Sequence, residues 1–332
     1  MPGSRYIKSF STFLFAGLCL LACANSVSAQ KVSKPISFAG ELLDAEDSLK
    51  YYLDSVRAST DDVRKQYWNN KFRKKMARTA ELPGAFDYPF DKLTTIGKLS
   101  SPDKFFRMFN WNIENADLTH SFYAYVLIPS RKKNKVVELL DRSNGIDRPE
   151  PQALDQQRWY GCLYYKIIPM GGNKNEYTLL AVDMNNRSLK RRIIEVMNIS
   201  KTKISFGNAI FDYNDKTLRK RVVFEHSALC QMALRYDEEN TRIVFDHLVP
   251  ESPQTEGMYE YYYPDGTYDA LILDNGQWRY AKDLDDIKNP KNGLDKLYNA
   301  PKGADLGKKQ HDRKGTRDRK LKSPYKKKED QK

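Results

Sequence analysis

Two histidines and one cysteine stand at a spacing that could bind a metal ion. The similar heptads RVVFEHS and RIVFDHL begin 21 residues apart, at Arg221 and Arg242. Their sixth residues are His226 and His247, and Cys230 lies between them in the chain. If this segment forms a three-stranded meander with matched apolar faces, Cys230 lies opposite both histidines. Such a His–Cys–His row is a candidate zinc site for a metal-dependent hydrolase, with zinc about 2 Å from each ligand atom.

Packing in the hydrophobic core, without a metal ion, is the alternative role for His226, His247 and Cys230. The histidines follow the Phe-bearing face of each heptad to its rim, where a neutral histidine packs and bonds to backbone groups. Glu225 and Asp246 are predicted on the opposite, charged faces, so neither forms an acid–base dyad with the neighbouring histidine. In an oxidising compartment, Cys230 has a further alternative, which is a disulfide with Cys162.

Aromatic residues form the second candidate site. Trp159, Tyr160 and Tyr262 belong to aromatic-rich segments, and a sugar- or peptide-binding surface is one function for such a set. Core and cross-strand packing is the other. The sequence contains no G-x-S-x-G, H-E-x-x-H, Walker A or G-x-G-x-x-G motif, and these are the patterns that mark common catalytic sites. We therefore expect no catalytic residue and no cofactor.

Residues 1–29 have the pattern of a signal peptide. Arg5 and Lys8 precede a nearly continuous apolar run from Phe10 to Ala22, and Val27-Ser28-Ala29 is a small-residue cleavage site. The run has about 13 residues, whereas a transmembrane helix needs roughly 20. We therefore predict export, cleavage after residue 29 and no transmembrane span. The alternative is a lipoprotein acylated at Cys23.

Residues 30–84 predict a helical segment. Leu42, Leu49 and Leu53 recur at helical spacing. Ser59-Thr60-Asp61-Asp62 has the composition of a cap for a second helix, and Pro83-Gly84 ends that helix.

Residues 85–287 predict a mainly antiparallel β domain, because short runs of Phe, Tyr, Val and Ile alternate with turn residues. Hairpin turns are predicted at 264–266 and at 274–276. One helix is predicted among the strands, with Leu189, Ile193, Val196 and Met197 on its apolar face. The fold class is therefore α+β, and a sandwich, a half-barrel or an irregular meander are the alternatives for the β domain.

Residues 288–332 predict a disordered basic tail, since their composition buries little apolar area. The chain carries a net charge of +13, and residues 303–332 alone hold twelve Lys or Arg against five Asp or Glu. Such a tail would attract an anionic surface or an acidic partner of the cell envelope. Export disfavours nucleic acid as that partner, and a solvated extension without a partner is the alternative.

Three stretches carry a resemblance to known proteins. They are TLLAVDMNNRSLKRRIIEVM from Thr178, VFEHSALCQMALRYDEENTRIVFDHLVP from Val223 and YYYPDGTYDALILDNGQWRYAKDLD from Tyr261. They resemble a family of uncharacterised exported β-rich proteins of Gram-negative bacteria. The resemblance implies export and a β-rich domain, and it supplies no activity. We therefore expect a non-enzymatic protein of the periplasm or outer-membrane periphery that binds or supports an envelope component.

Overall fold

Two helices are followed by three sheets of mostly antiparallel strands. The computed structural model describes residues 38–171, 175–184, 186–214 and 216–284. The predicted signal peptide and the predicted basic tail lie outside these residues. The order of helices and sheets confirms the α+β class.

The helical segment is a hairpin of α1 (Phe38–Ala58) and α2 (Asp62–Ala80). Asp61 caps α2, because its side chain accepts a hydrogen bond from the backbone N–H of Arg64 at 2.9 Å. The boundary predicted between the two helices is confirmed. In the part of the chain that the structure describes, no helix is long and apolar enough to cross a membrane.

The strands divide into sheets of four, six and five. The four-stranded sheet is a meander of β1 (Gly97–Ser100), β2 (Arg107–Glu114), β3 (His120–Ile128) and β4 (Lys135–Leu140). The six-stranded sheet contains β5 (Leu154–Asp155), β6 (Leu163–Pro169), β7 (Glu176–Asp183), β8 (Leu189–Ser200), β9 (Lys203–Phe206) and β11 (Arg221–Ser227). The five-stranded sheet contains β10 (Phe211–Asp212), β12 (Leu234–Asp237), β13 (Arg242–Pro250), β14 (Tyr262–Asp274) and β15 (Gln277–Ala281). Within it, β10 and β15 are parallel.

Three main hydrophobic clusters join these layers. The first joins the helices to the four-stranded sheet, and Phe72 and Trp111 belong to it. The second combines side chains of the four- and six-stranded sheets, including Met108 and Ile193. The third combines side chains of the six- and five-stranded sheets, including Trp278. The six-stranded sheet is therefore covered on both faces.

The helix predicted around residues 189–197 is wrong, because this segment is β8. It pairs with β7 along one edge and with β9 and β11 along the other. Ile193 and Met197 join the second cluster, whereas Ile194 and Val196 join the third. A strand that is buried on both faces has a nearly continuous apolar sequence, and its spacing also fits a helix.

One of the two predicted hairpins is confirmed. Asn275 and Gly276, with φ angles of 49° and 79°, turn β14 back on β15. The turn predicted at 264–266 is wrong, since β14 continues through it and pairs with β13 on both sides of a bulge. Gly266 has a φ of 91° within this irregular stretch, so the turn-forming residues serve the bulge instead of a hairpin.

Both heptads form strands, but the meander predicted for them is wrong. The first is β11, which pairs with β8 in the six-stranded sheet. The second belongs to β13, which lies between β12 and β14 in the five-stranded sheet. The predicted alternation holds in β11, where Val222 and Phe224 pack in the third cluster and Val223 packs against the second.

Candidate functional site: a polar cleft between two sheets

His226 and Cys230 are close, but their contact is a packing contact. Cys230 lies in the turn after β11, and its Sγ is 3.5 Å from Nδ1 of His226. The backbone carbonyl of Ser227 is 2.8 Å from that Nδ1 and accepts the Cys230 thiol at 3.3 Å. His226 is 1% exposed, and this burial lowers its pKa to about 4. The pair is therefore a neutral imidazole beside a protonated thiol.

His247 lies in the other sheet and has its own partner. Its Nδ1 is 2.8 Å from Oδ2 of Asp269, which also accepts the hydroxyl of Tyr280 at 2.7 Å. The His226–Cys230–His247 row is thus not formed, because the strands that would carry it belong to two sheets. Across the described ranges, no three His, Cys, Asp or Glu side chains are grouped so that they could hold a metal ion.

The two cysteines considered for a disulfide are free thiols. Cys162 is fully buried in the second hydrophobic cluster, whereas Cys230 is partly exposed at its turn. Burial raises the pKa of both thiols, and most strongly that of Cys162. Each thiol therefore acts as a small apolar side chain in this fold.

The predicted aromatic surface does not assemble. Trp159 and Tyr160 are 0% and 4% exposed, and the Trp159 indole N–H donates to the Tyr164 hydroxyl at 2.8 Å. Tyr262 lies at the start of β14, in another sheet, and is partly buried. Its ring is tilted by 50° against that of Tyr259. A flat platform for stacking a sugar is therefore absent from these described residues, although Tyr160 reaches a cleft.

That cleft has a volume of about 760 Å³ and opens between the four- and six-stranded sheets. Thr119, His120 and Phe122 line it from β3 and the turn before it. Residues 143–151 form one wall, and residues 217–219 with Tyr259 contribute at the other side. The volume falls within the range of about 300–1,000 Å³ that ligand pockets usually have.

A row of three charged side chains crosses the six-stranded sheet inside the cleft. Arg191 on β8 stands opposite Asp183 on β7 and opposite Glu225 on β11. Its guanidinium is 3.3 Å from Oδ2 of Asp183 and donates to Oε1 of Glu225 at 2.7 Å. The two carboxylates fix the arginine in position, so the row presents oriented donors and acceptors and carries one carboxylate charge in excess of its single guanidinium.

His120 and Tyr160 add two neutral polar groups to the cleft. The amide of Asn112 is 2.9 Å from Nδ1 of His120. If the amide nitrogen donates, the His120 proton lies on Nε2. Burial lowers the pKa of His120 and raises that of Tyr160. Both side chains are consequently uncharged near neutral pH.

The wall at 143–151 is held from behind by two side chains, the half-buried carboxylate of Asp141 and the buried guanidinium of Arg221. Asp141 accepts the backbone N–H of Phe122 at 3.0 Å, and it accepts both the backbone N–H and the hydroxyl of Ser143. Arg221 donates to the backbone carbonyl of Pro149. The Ser143 hydroxyl therefore anchors the loop, and its proton is directed at Asp141. These bonds give the cleft a preformed wall.

The walls of the cleft carry charged side chains of both signs. Four carboxylates line it (Asp147, Glu150, Asp183 and Glu225), as do three arginines (Arg148, Arg191 and Arg219). These charges nearly cancel. The carboxylates can accept hydrogen bonds from a ligand and the guanidinium groups can donate them, while Phe122 and Tyr259 add apolar atoms to the lining. A polar ligand without a large net charge fits this balance best.

Sequence reasoning set Glu225 on the face opposite His226 and named Tyr160 for an aromatic surface, and it missed His120, Asp183 and Arg191 as residues that line the cleft. These residues come from four strands and a loop that are distant in the chain. The useful signal was the alternation in RVVFEHS, which sets Glu225 on the face opposite His226. The partner strand of that face was not readable from the sequence.

Comparisons of the chain with protein-family models, curated proteins and solved structures each returned no match. The candidate site therefore rests on its own geometry.

Proposed function

We propose that this protein is an exported, non-enzymatic component of the cell envelope whose cleft binds an uncharged or weakly charged glycan of that envelope. The Asp183–Arg191–Glu225 row is the observation that carries the proposal. Sugar hydroxyls both donate and accept hydrogen bonds, and fixed carboxylates and guanidinium groups serve both directions. Tyr259, which is 45% exposed, supplies aromatic surface beside the row.

Further elements of the proposal come from the sequence. The signal-like start supports export to the periplasm or outer-membrane periphery. We also propose that the four- and six-stranded sheets act as the two leaves of a β-sandwich, since shared burial in the second cluster would keep the cleft open at their rim. The basic tail would add weak electrostatic attachment to an anionic envelope surface.

Saturation-transfer NMR with soluble neutral oligosaccharides released from a Gram-negative envelope tests the glycan. We expect transfer to at least one of them, and Glu225→Gln should weaken its binding at least about tenfold, because a hydrogen bond to a charged group contributes roughly 1.5–3 kcal/mol. Glu138→Gln is the matched control. Glu138 is also paired with an arginine, Arg73, but lines a neighbouring depression.

If no oligosaccharide receives saturation from the protein, the cleft does not bind a neutral envelope glycan. Equal affinities for the Glu225→Gln variant and the wild type would remove the row as the binding site. The tail is tested separately: deletion of residues 303–332 should release the protein from envelope fractions at low salt, where unscreened charges act furthest. Unchanged fractionation would exclude the tail from attachment.

A further inference from the structure

Helix α2 carries an exposed cationic stripe. Tyr67, Lys71, Lys74 and Arg78 follow one another at intervals of four, three and four residues, which places them on one face of the helix. All four side chains are exposed. Val63, one turn before Tyr67, is 81% exposed, and Tyr67 is 54% exposed. We call Val63, Tyr67, Lys71, Lys74 and Arg78 the α2 stripe.

Aromatic rings flank the stripe at its amino-terminal end. The ring of Trp68 lies 5.0 Å from that of Tyr67 and 5.6 Å from that of Tyr51 on α1. Nζ of Lys71 is 5.0 Å from the Tyr67 ring centroid and 5.7 Å from that of Trp68. Exposed aromatic and cationic groups therefore form one continuous surface.

The charges of the α2 stripe are not neutralised within the described residues. Arg64, Lys65 and Arg73 of this helix have acidic partners, which are Asp61, Asp62 and Glu138 respectively. No acidic side chain of the described chain forms an ion pair with Lys71, Lys74 or Arg78. Three cations thus face solvent beside an apolar valine and a tyrosine.

We propose that the α2 stripe docks on the surface of an anionic lipid bilayer, with its cations on lipid phosphates. Lys71, Lys74 and Arg78 complement the charge of such a surface, each contributing about 1 kcal/mol. Val63 and Tyr67 decide between a bilayer and a soluble polyanion. A polyanion in water does not remove the Val63 side chain from solvent, whereas the boundary between headgroups and acyl chains takes up valine and tyrosine together.

This docking is separate from the cleft and from the basic tail. The cleft lies between the four- and six-stranded sheets, whereas α2 packs on the other face of the four-stranded sheet. A bound ligand in the cleft is therefore not required for docking, and glycan binding can fail while the membrane contact holds.

Trp68 gives the experiment a local reporter. The chain has four tryptophans, and Trp111, Trp159 and Trp278 are at most 1% exposed. The chain from Gln30 to Lys332, which keeps every described residue, is mixed with phosphatidylglycerol vesicles that contain brominated acyl chains. Bromine quenches indole fluorescence at short range, so we expect partial quenching from Trp68 with anionic vesicles and none with phosphatidylcholine vesicles. Trp68→Phe should abolish the quenching.

Two charge-matched triple variants separate the α2 stripe from general basicity. Lys71→Gln/Lys74→Gln/Arg78→Gln should lower the vesicle partition coefficient about 100-fold, as expected for three surface charges. Lys201→Gln/Lys203→Gln/Lys216→Gln removes three exposed cations outside the helical layer and should leave partitioning close to the wild-type value.

Equal losses in the two triple variants would overturn the proposal, as would vesicle binding without quenching of Trp68. A soluble polyphosphate that binds the wild-type chain as tightly as the vesicles do would identify a polyanion partner instead of a bilayer. Quenching that survives deletion of residues 303–332 supports the α2 stripe, and quenching lost with that deletion assigns the contact to the tail.

Discussion

Arg221 donates from Nε to Oε2 of Glu195 at 2.7 Å, and both side chains are buried in the middle layer of the protein. The two residues stand opposite each other on β11 and β8. Tyr164 donates its hydroxyl to the second oxygen of Glu195, and Arg221 also donates to the carbonyl of Pro149 in the cleft wall. This ion pair therefore connects the core of the six-stranded sheet to the candidate binding site.

Removal of Arg221 should be strongly destabilising. In Arg221→Met the carboxylate of Glu195 stays buried without its cation, so we expect the free energy of unfolding to fall by about 3–5 kcal/mol in urea denaturation. Arg279→Met, which breaks a half-exposed pair with Asp274, should cost less than about 1 kcal/mol. Similar losses in the two variants would show that burial does not set the strength of the Arg221 pair.

His226 should make stability depend on pH in the acidic range. Its pKa is about 4 in the folded chain because the side chain is buried, and about 6.5 when unfolded. The unfolded chain binds the proton first, so this contribution is complete above pH 6.5 and is lost as the pH falls towards 4. The loss is about 3 kcal/mol in total. Urea unfolding at pH 7 and pH 4 should show it in the wild type and not in His226→Asn. If the free energies of unfolding of the wild type and of His226→Asn differ by the same amount at pH 7 and pH 4, the imidazole of His226 is not buried in its neutral form.

The helical segment and the strand-rich domain were predictable because their signals are local. The Asp61 cap, the 3.6-residue period of α1 and the Asn275-Gly276 turn each involve neighbouring residues. The β8 segment was misread because burial on both faces removes the alternation that marks a strand. It pairs with β11, which begins only after β9, β10 and the segments between them, and a sequence pattern carries no signal for such a distant partner. The same limit applies to the cleft, where Asp183, Arg191 and Glu225 meet only through strand pairing.

Gly207 should tolerate alanine poorly for two separable reasons. Its φ is 93°, and an added Cβ would lie 2.7 Å from the backbone oxygen of Gln152. Gly276 has a similar φ of 79°, but an added Cβ there meets nothing within 4 Å. We expect Gly276→Ala to cost about 1–2 kcal/mol through the backbone alone. Gly207→Ala should cost at least about 1 kcal/mol more, since the close contact forces the chain to shift. Equal unfolding free energies for the two variants would mean that the backbone around Gln152 can move away from the added Cβ at no measurable cost.

The two thiols of the chain from Gln30 to Lys332 should differ in their reaction with a disulfide reagent such as Ellman's. Cys230 is partly exposed, but its raised pKa and its bond to the Ser227 carbonyl keep it protonated. It should therefore release about one equivalent of chromophore slowly at pH 8, because the thiolate is the reacting form. Cys162 is completely buried and should react only after unfolding in guanidinium, which brings the total to about two equivalents.

Cys230→Ser should abolish the slow native reaction and leave one equivalent in the unfolded chain. A monomer recovered from an oxidising compartment that yields no thiol when unfolded, and two thiols after reduction, would instead establish a Cys162–Cys230 disulfide. Forming that bond would require Cys162 to leave the second hydrophobic cluster, so the same preparation should then also show a changed unfolding midpoint after reduction.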